Sequence, residues 1–348
     1  MGEFSRCKNL FMKRIHLEKI LDGLWPIDHL FEYLDRDLPS AEYSWDEFVH
    51  TGIMKELAQY GGSPTDLMSV AQMLFHSYAF QKGAGKIYEV SDSIGEMLLN
   101  TKLDIDTSLV KSPCLETIIV IPDNLIKVRN VNTGWHWAYN IYVNFKEFSD
   151  YDKIIKVLCV GKENENSSNE LDDALFYFKV SLKDRTVSES LKKEMDGFKN
   201  NPDSYLYSNE EDWKVMPRLF YLVLNVLLYV TSADCDIKEI RSQRPEMEKR
   251  IQGLKNPAKI RKLIQKCQKE SRYSHYMIGS SIVLSPEEKQ LYEEIQKRRL
   301  SVRFLVGGHW RAQWYGPKDN QVQKPKWIRP FFKGPEIGEI IKSIGVIK

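Results

Sequence analysis

At 348 residues with 42% apolar side chains, the chain is long enough for two or three folding units and apolar enough for a real core, which places it among globular proteins. Fifty Lys/Arg against 48 Asp/Glu leave a formal net charge of +2, so any basic surface must be local and attraction of the whole molecule to nucleic acid is not implied. The five cysteines (Cys7, Cys114, Cys159, Cys235 and Cys267) are scattered, with no CxxC and no Cys/His metal spacing, which fits a reducing cytoplasm and predicts no metal and no other cofactor.

The first residues mix charge into every turn and do not read as a signal peptide. Residues 1–110 form a helical region in this reading, with apolar positions at three- and four-residue spacing such as Leu17, Ile20, Leu21 and Leu24, then Phe48, Ile53, Met54 and Leu57. Asp28, Ser44 and Ser63 stand where N-caps belong, and Gly61-Gly62 before Ser63-Pro64 ends one helix and starts the next. Gly83-Ala84-Gly85-Lys86 lacks the spacing of a phosphate loop.

Over residues 111–235 the period changes from helical to alternating. The runs 115–121, 135–145, 153–160 and 174–182 are β-rich and separated by polar turns, which predicts an antiparallel sheet. An apolar helix follows over about 213–231; Pro217, Arg218 and Asn225 interrupt it and it falls short of the ~20 residues a bilayer requires, so it reads as a buried helix with no membrane role.

The third unit, 236–348, begins with a basic stretch. Residues 238–275 carry twelve Lys/Arg against Glu239, Glu246, Glu248 and Glu270. Within it Lys255, Lys259, Arg261, Lys262 and Lys266 surround the amphipathic positions Ile260, Leu263 and Ile264, which is either a solvated face or a contact for nucleic acid or the ribosome. A strand over 276–284 and a short helix capped at Ser285-Pro286 then lead to the densest segment.

That segment, 301–335, holds seven aromatics and seven Lys/Arg against one acid, Asp319. Period two sets His309, Arg311, Gln313 and Tyr315 opposite Trp310 and Trp314, and a returning strand carries Lys326, Trp327 and Arg329 between Pro325 and Pro330. Together they predict a long β-hairpin over 302–332, with Gly307-Gly308 marking a bulge or a close backbone approach. Trp310, Trp314, Trp327 and Phe331 could be a hydrophobic plug with the cations as its rim. A second reading is a recognition surface made of His309, Arg311, Gln313, Trp314, Tyr315, Lys326, Trp327 and Arg329, since Trp, Tyr and Arg dominate binding hot spots and basic-aromatic mixtures also stack on single-stranded RNA. A third makes His309 a general acid or base, with Arg311 and Lys326 stabilising a phosphoryl transition state, in a ribonuclease centred on His309, Arg311 and Tyr315; the single acid would make it metal-independent.

The aromatic strand Gly134-Trp135-His136-Trp137, the apolar helix with Pro217-Arg218-Leu219-Phe220-Tyr221-Leu222, and the terminal Gly308-His309-Trp310, Trp314-Tyr315-Gly316 and Trp327-Ile328-Arg329-Pro330 resemble a type V-A anti-CRISPR family and its wider phage and mobile-element relatives. The resemblance implies a host-takeover factor without enzymatic chemistry of its own that recognises the nascent N-terminal peptide of a Cas nuclease and lowers its mRNA; the elements read above make the fold α+β. The continuation Lys333-Gly334-Pro335-Glu336 is more like the broader relatives. The expectation is therefore a helical N-terminal region, a central antiparallel sheet covered by helices and a C-terminal basic aromatic hairpin. The function expected is a non-enzymatic binding protein whose partners are a nascent polypeptide and the ribosome or mRNA; the alternatives are an RNA-binding protein or the ribonuclease described above.

Overall fold

The computed structural model describes residues 27–38, 42–59, 64–130, 134–161, 175–200, 210–267, 273–282 and 304–333. The chain is α+β. The four β-rich runs become β2 (Glu116–Val120), β4 (Gly134–Ser149), β5 (Asp152–Gly161) and β6 (Leu175–Leu182), each paired antiparallel with its neighbour as their alternation predicts. Among the described residues β1 (Lys86–Val90), β3 (Lys127–Asn130), β7 (Ile237–Ile240) and β8 (His275–Ile278) complete a sheet ordered β6-β5-β4-β2-β1-β8-β7, with β3 on the start of β4. Among the described strands of this sheet β1 alone breaks the antiparallel pattern: it runs parallel to both β2 and β8, and the α-helix after β1 belongs to the longer crossover a parallel neighbour needs.

Helices cover both faces. On one, α1 (Ile27–Asp37), α2 (Trp45–His50), α3 (Ile53–Ala58) and α4 (Pro64–Lys82) bury Leu34, Phe48, Ile53, Leu74 and Phe75 against Ile118, Tyr142 and Leu158. On the other, α5 (Asp92–Leu99), α6 (Val187–Asn200) and α7 (Glu210–Thr231) pack on Ile119, Ile141, Val157 and Phe178. Successive residues of β2, β4 and β5 therefore feed two different cores, which is why their runs are apolar on both faces. The α7 segment Lys214–Thr231 is long and apolar enough to cross a membrane by composition, yet Leu219, Phe220 and Leu222 to Tyr229 are buried in the core.

Ser44 caps α2 as expected: its Oγ accepts from the Glu47 N–H at 3.1 Å while Glu47 Oε2 accepts from the Ser44 N–H at 2.6 Å. Asp28, expected as a cap, instead lies inside α1, because the apolar stripe that buries Leu30, Phe31 and Leu34 makes 28 a helical position. The expected helix near Leu17, Ile20, Leu21 and Leu24, the cap at Ser63 and the helix after Ser285 fall outside the described residues. The basic stretch folds into α8 (Arg244–Gly253) and α9 (Pro257–Cys267), and the terminal segment into β9 (Phe304–Val306), β10 (His309–Tyr315), β11 (Val322–Ile328) and β12 (Phe331–Lys333).

Candidate functional site

The hairpin is built as two ladders in line. Strands β9 and β12 pair from Val306↔Phe331, and β10 and β11 pair in register from His309↔Ile328 to Tyr315↔Val322. Gly307-Gly308 separates them, and the reason is a close approach rather than a bulge: a Cβ on Gly308 would lie 2.6 Å from Thr101 Oγ1 and 3.1 Å from Pro330 Cδ. The Gly308 carbonyl accepts from the Lys102 N–H at 2.9 Å, which ties the hairpin to the end of α5.

Beyond that tie the two Trp cross-strand partners anchor the base. Trp310, 7% exposed, donates from Nε1 to Asn225 Oδ1 at 2.7 Å, and the Asn225 amide in turn donates to the Leu98 and Thr101 carbonyls at 2.8 and 3.2 Å. Trp327 donates to Thr101 Oγ1 at 3.2 Å and stands edge-on to Tyr229 at 5.5 Å. The expected plug is therefore only half right. Trp314 shares the face of Trp310 yet is 55% exposed, and Phe331 is also exposed.

On the opposite face the register aligns Arg311 with Lys326, Gln313 with Lys324 and Tyr315 with Val322. Arg311 is exposed and donates to Gln313 Oε1, and Lys326 pairs with Asp234 at 3.2 Å. Gln313 and Tyr315 are half-buried, and Arg329 is exposed. The half-buried His309 ring meets the Gly307 carbonyl at 3.4 Å and no carboxylate among the described residues. What this face offers is a row of cations, an amide and a phenol, with the 55% exposed Val322 at its outer end; Trp314 is exposed on the other face.

The second cluster lies on α9. Lys259, Arg261, Lys262 and Lys266 are exposed, as is Lys255 just before the helix, while Ile260 and Leu263 are half-buried and Ile264 is exposed. Asn256 Oδ1 caps the helix, accepting from the Ala258 N–H at 3.0 Å.

A third polar cluster escaped the sequence reading altogether. Between α4 and the sheet, His76 Nδ1 lies 2.6 Å from Glu116 Oε1, and Asn144 donates to Glu116 Oε2 at 2.9 Å; the side chains of His76 and Glu116 are wholly buried. Nearby, Lys156 is 8% exposed and its ammonium sits 4.4 Å from the centre of the Phe75 ring. Burial, then the charges of Lys146 and Lys179, push the Lys156 ammonium down from its usual range to about 8. Alternation already assigns Glu116, Lys156 and Asn144 to a helix-covered face, which was the signal available in the sequence.

A pH dependence follows from Lys156. Its folded pKa lies below its unfolded value, so between about pH 8 and 10.5 the unfolded chain holds a proton the native state has lost, and stability rises with pH through that window. Relative to Lys156→Met, the parent should gain on the order of 3 kcal/mol across it. Urea unfolding of both proteins at pH 7.5 and pH 10.5 measures the difference, and parallel curves would refute the buried charge.

Among the described residues no three His, Cys, Asp or Glu side chains converge as a metal site would require. A sequence model of the anti-CRISPR type V subtype A2 family (AcrVA2-like) matches residues 88–332, more than half of the chain. A search of curated proteins finds no match. One solved structure, the crystal structure of AcrVA2, is similar at a TM-score of 0.45 and 14% identity, over 94% of this chain and 97% of that one. The matched region runs from the β1–α5 unit through the core helix to the hairpin, and by that match the chain belongs to the AcrVA2-like family of type V anti-CRISPR proteins.

Proposed function

We propose that this family member is a non-enzymatic anti-CRISPR regulator that recognises a nascent polypeptide and thereby lowers production of its target, with a type V Cas nuclease as the target its family points to. One observation carries the reading: the hairpin is anchored through Trp310 and Trp327, while Arg311 and Trp314 are exposed and Tyr315 is half-buried at the far end of β10. A rigid base with an aromatic and cationic outer half is how binding hot spots are presented. Among the described residues the His309 ring meets only the Gly307 carbonyl, which supports binding over turnover, because a general base works with a positioned partner. The protein acts in the cytoplasm in this reading, without cofactor or membrane.

The test is capture of ribosome-bound nascent chains bearing the N-terminal segment of a type V Cas nuclease. Arg311→Ala with Tyr315→Ala should weaken capture about 30-fold or more and leave the melting temperature unchanged. A variant that binds normally removes the hairpin from the mechanism.

The exposed cations of α9 favour a second contact, to RNA or the ribosome. Replacing Lys259, Arg261, Lys262 and Lys266 with Glu should weaken that association and flatten its salt dependence, since each neutralised phosphate adds to the slope. If association of the parent protein is the same at low and high salt, α9 is only a solvated face.

A further inference from the structure

On the sheet face turned toward α4, three neighbouring strands bring lysines together. The register sets Lys156 of β5 directly opposite Lys179 of β6 on one side and Asn144 of β4 on the other, and Lys146 follows Asn144 one pleat further along. All three lysines share the face of Tyr142, Leu158 and Tyr177. Burial falls along this row, from Lys156 at 8% exposed through the half-buried Lys146 to the exposed Lys179.

Like charges opposed across a ladder are unfavourable, and a nearly buried amine needs a counter-ion or hydrogen bonds. Among the described residues Lys156 has neither, only the Phe75 ring. The acids around it are engaged or distant. Glu116 gives its oxygens to His76 and Asn144, Glu47 is held by the Ser44 cap, and Asp46 acts on Lys156 only at longer range, as Glu42 and Glu47 do on Lys146. Lys146 donates to the Tyr43 carbonyl at 2.8 Å and so is held in place.

We infer that Lys156, Lys179 and Lys146 form an oxyanion-binding site, taking a phosphate or carboxylate group where the sheet face opens from Lys156 toward Lys179. It shares no residue with the hairpin face, so the two proposals stand or fall separately. An oxyanion here would supply the missing partner of Lys156 and relieve its repulsion with Lys179.

Thermal unfolding at fixed ionic strength, with sodium phosphate or sodium acetate replacing sodium chloride, tests the site. Phosphate also stabilises proteins by exclusion from their surfaces, so the readout is the difference between the parent and Lys156→Met. The parent should show an additional, saturable rise in melting temperature that Lys156→Met lacks. A response to phosphate alone assigns a phosphate ligand, and a response to acetate alone assigns a carboxylate from a partner. Titration of the Lys156 ammonium by NMR should move up by about one pH unit or more with the anion bound. Equal responses in parent and variant, or an unmoved titration, overturn the site. If Lys156→Met fails to fold, Lys179→Gln at its exposed position makes the same comparison.

Discussion

Replacing Trp310 by alanine should lower the unfolding free energy by about 3–5 kcal/mol, a large share of the roughly 5–15 that holds a domain together. Two effects add. Removing a side chain that is 7% exposed from between α5 and α7 forfeits its transfer free energy and leaves a cavity. Asn225, wholly buried, also loses the donor to its Oδ1 while its amide remains fixed on the Leu98 and Thr101 carbonyls. Trp310→Phe separates the two, since it keeps much of the volume and should cost about 1–3 kcal/mol for the unpaired acceptor. Trp314→Ala, on the same face of the same strand, should stay within about 0.5 kcal/mol because its site is exposed. Denaturant midpoints for the three variants decide this; a Trp310→Ala protein as stable as Trp314→Ala would mean that the hairpin base is not part of the core.

Glu116→Ala should be comparably damaging, at about 3–5 kcal/mol, by a different mechanism. The carboxylate sits in β2 with no solvent contact and holds both His76 from α4 and the Asn144 amide from β4. Truncation leaves both partners buried without it, and unmade hydrogen bonds in a closed interior cost more than made ones contribute. The test is a double-mutant cycle in urea. Glu116→Leu and His76→Leu should each be strongly destabilising, while the double variant costs clearly less than their sum because neither partner is then left unpaired. Strict additivity would mean the two side chains are not coupled, and the pair would lose its role in fixing α4 on the sheet.

Much of this architecture is local in origin and was therefore legible in the sequence. The alternation of 115–121, 135–145, 153–160 and 174–182 specifies strands, the largely apolar run of α7 specifies burial, and Ser44 with Glu47 specifies a helix start, because each depends on residues within a few positions of one another. The Gly307-Gly308 pair likewise marked a bulge or a close backbone approach, without deciding between them or naming Thr101. What only the tertiary structure decided is which side chains meet water. Trp310 and Trp314 have the same chemistry and the same strand face; one is an anchor and the other is exposed because Asn225, 85 positions away, lies opposite the first alone. His76 and Glu116 are 40 positions apart, and Lys156 and Lys179 come together only through the β5–β6 register. Periodicity names the face a residue occupies, whereas burial, charge pairing and exposure depend on what the rest of the chain places against that face.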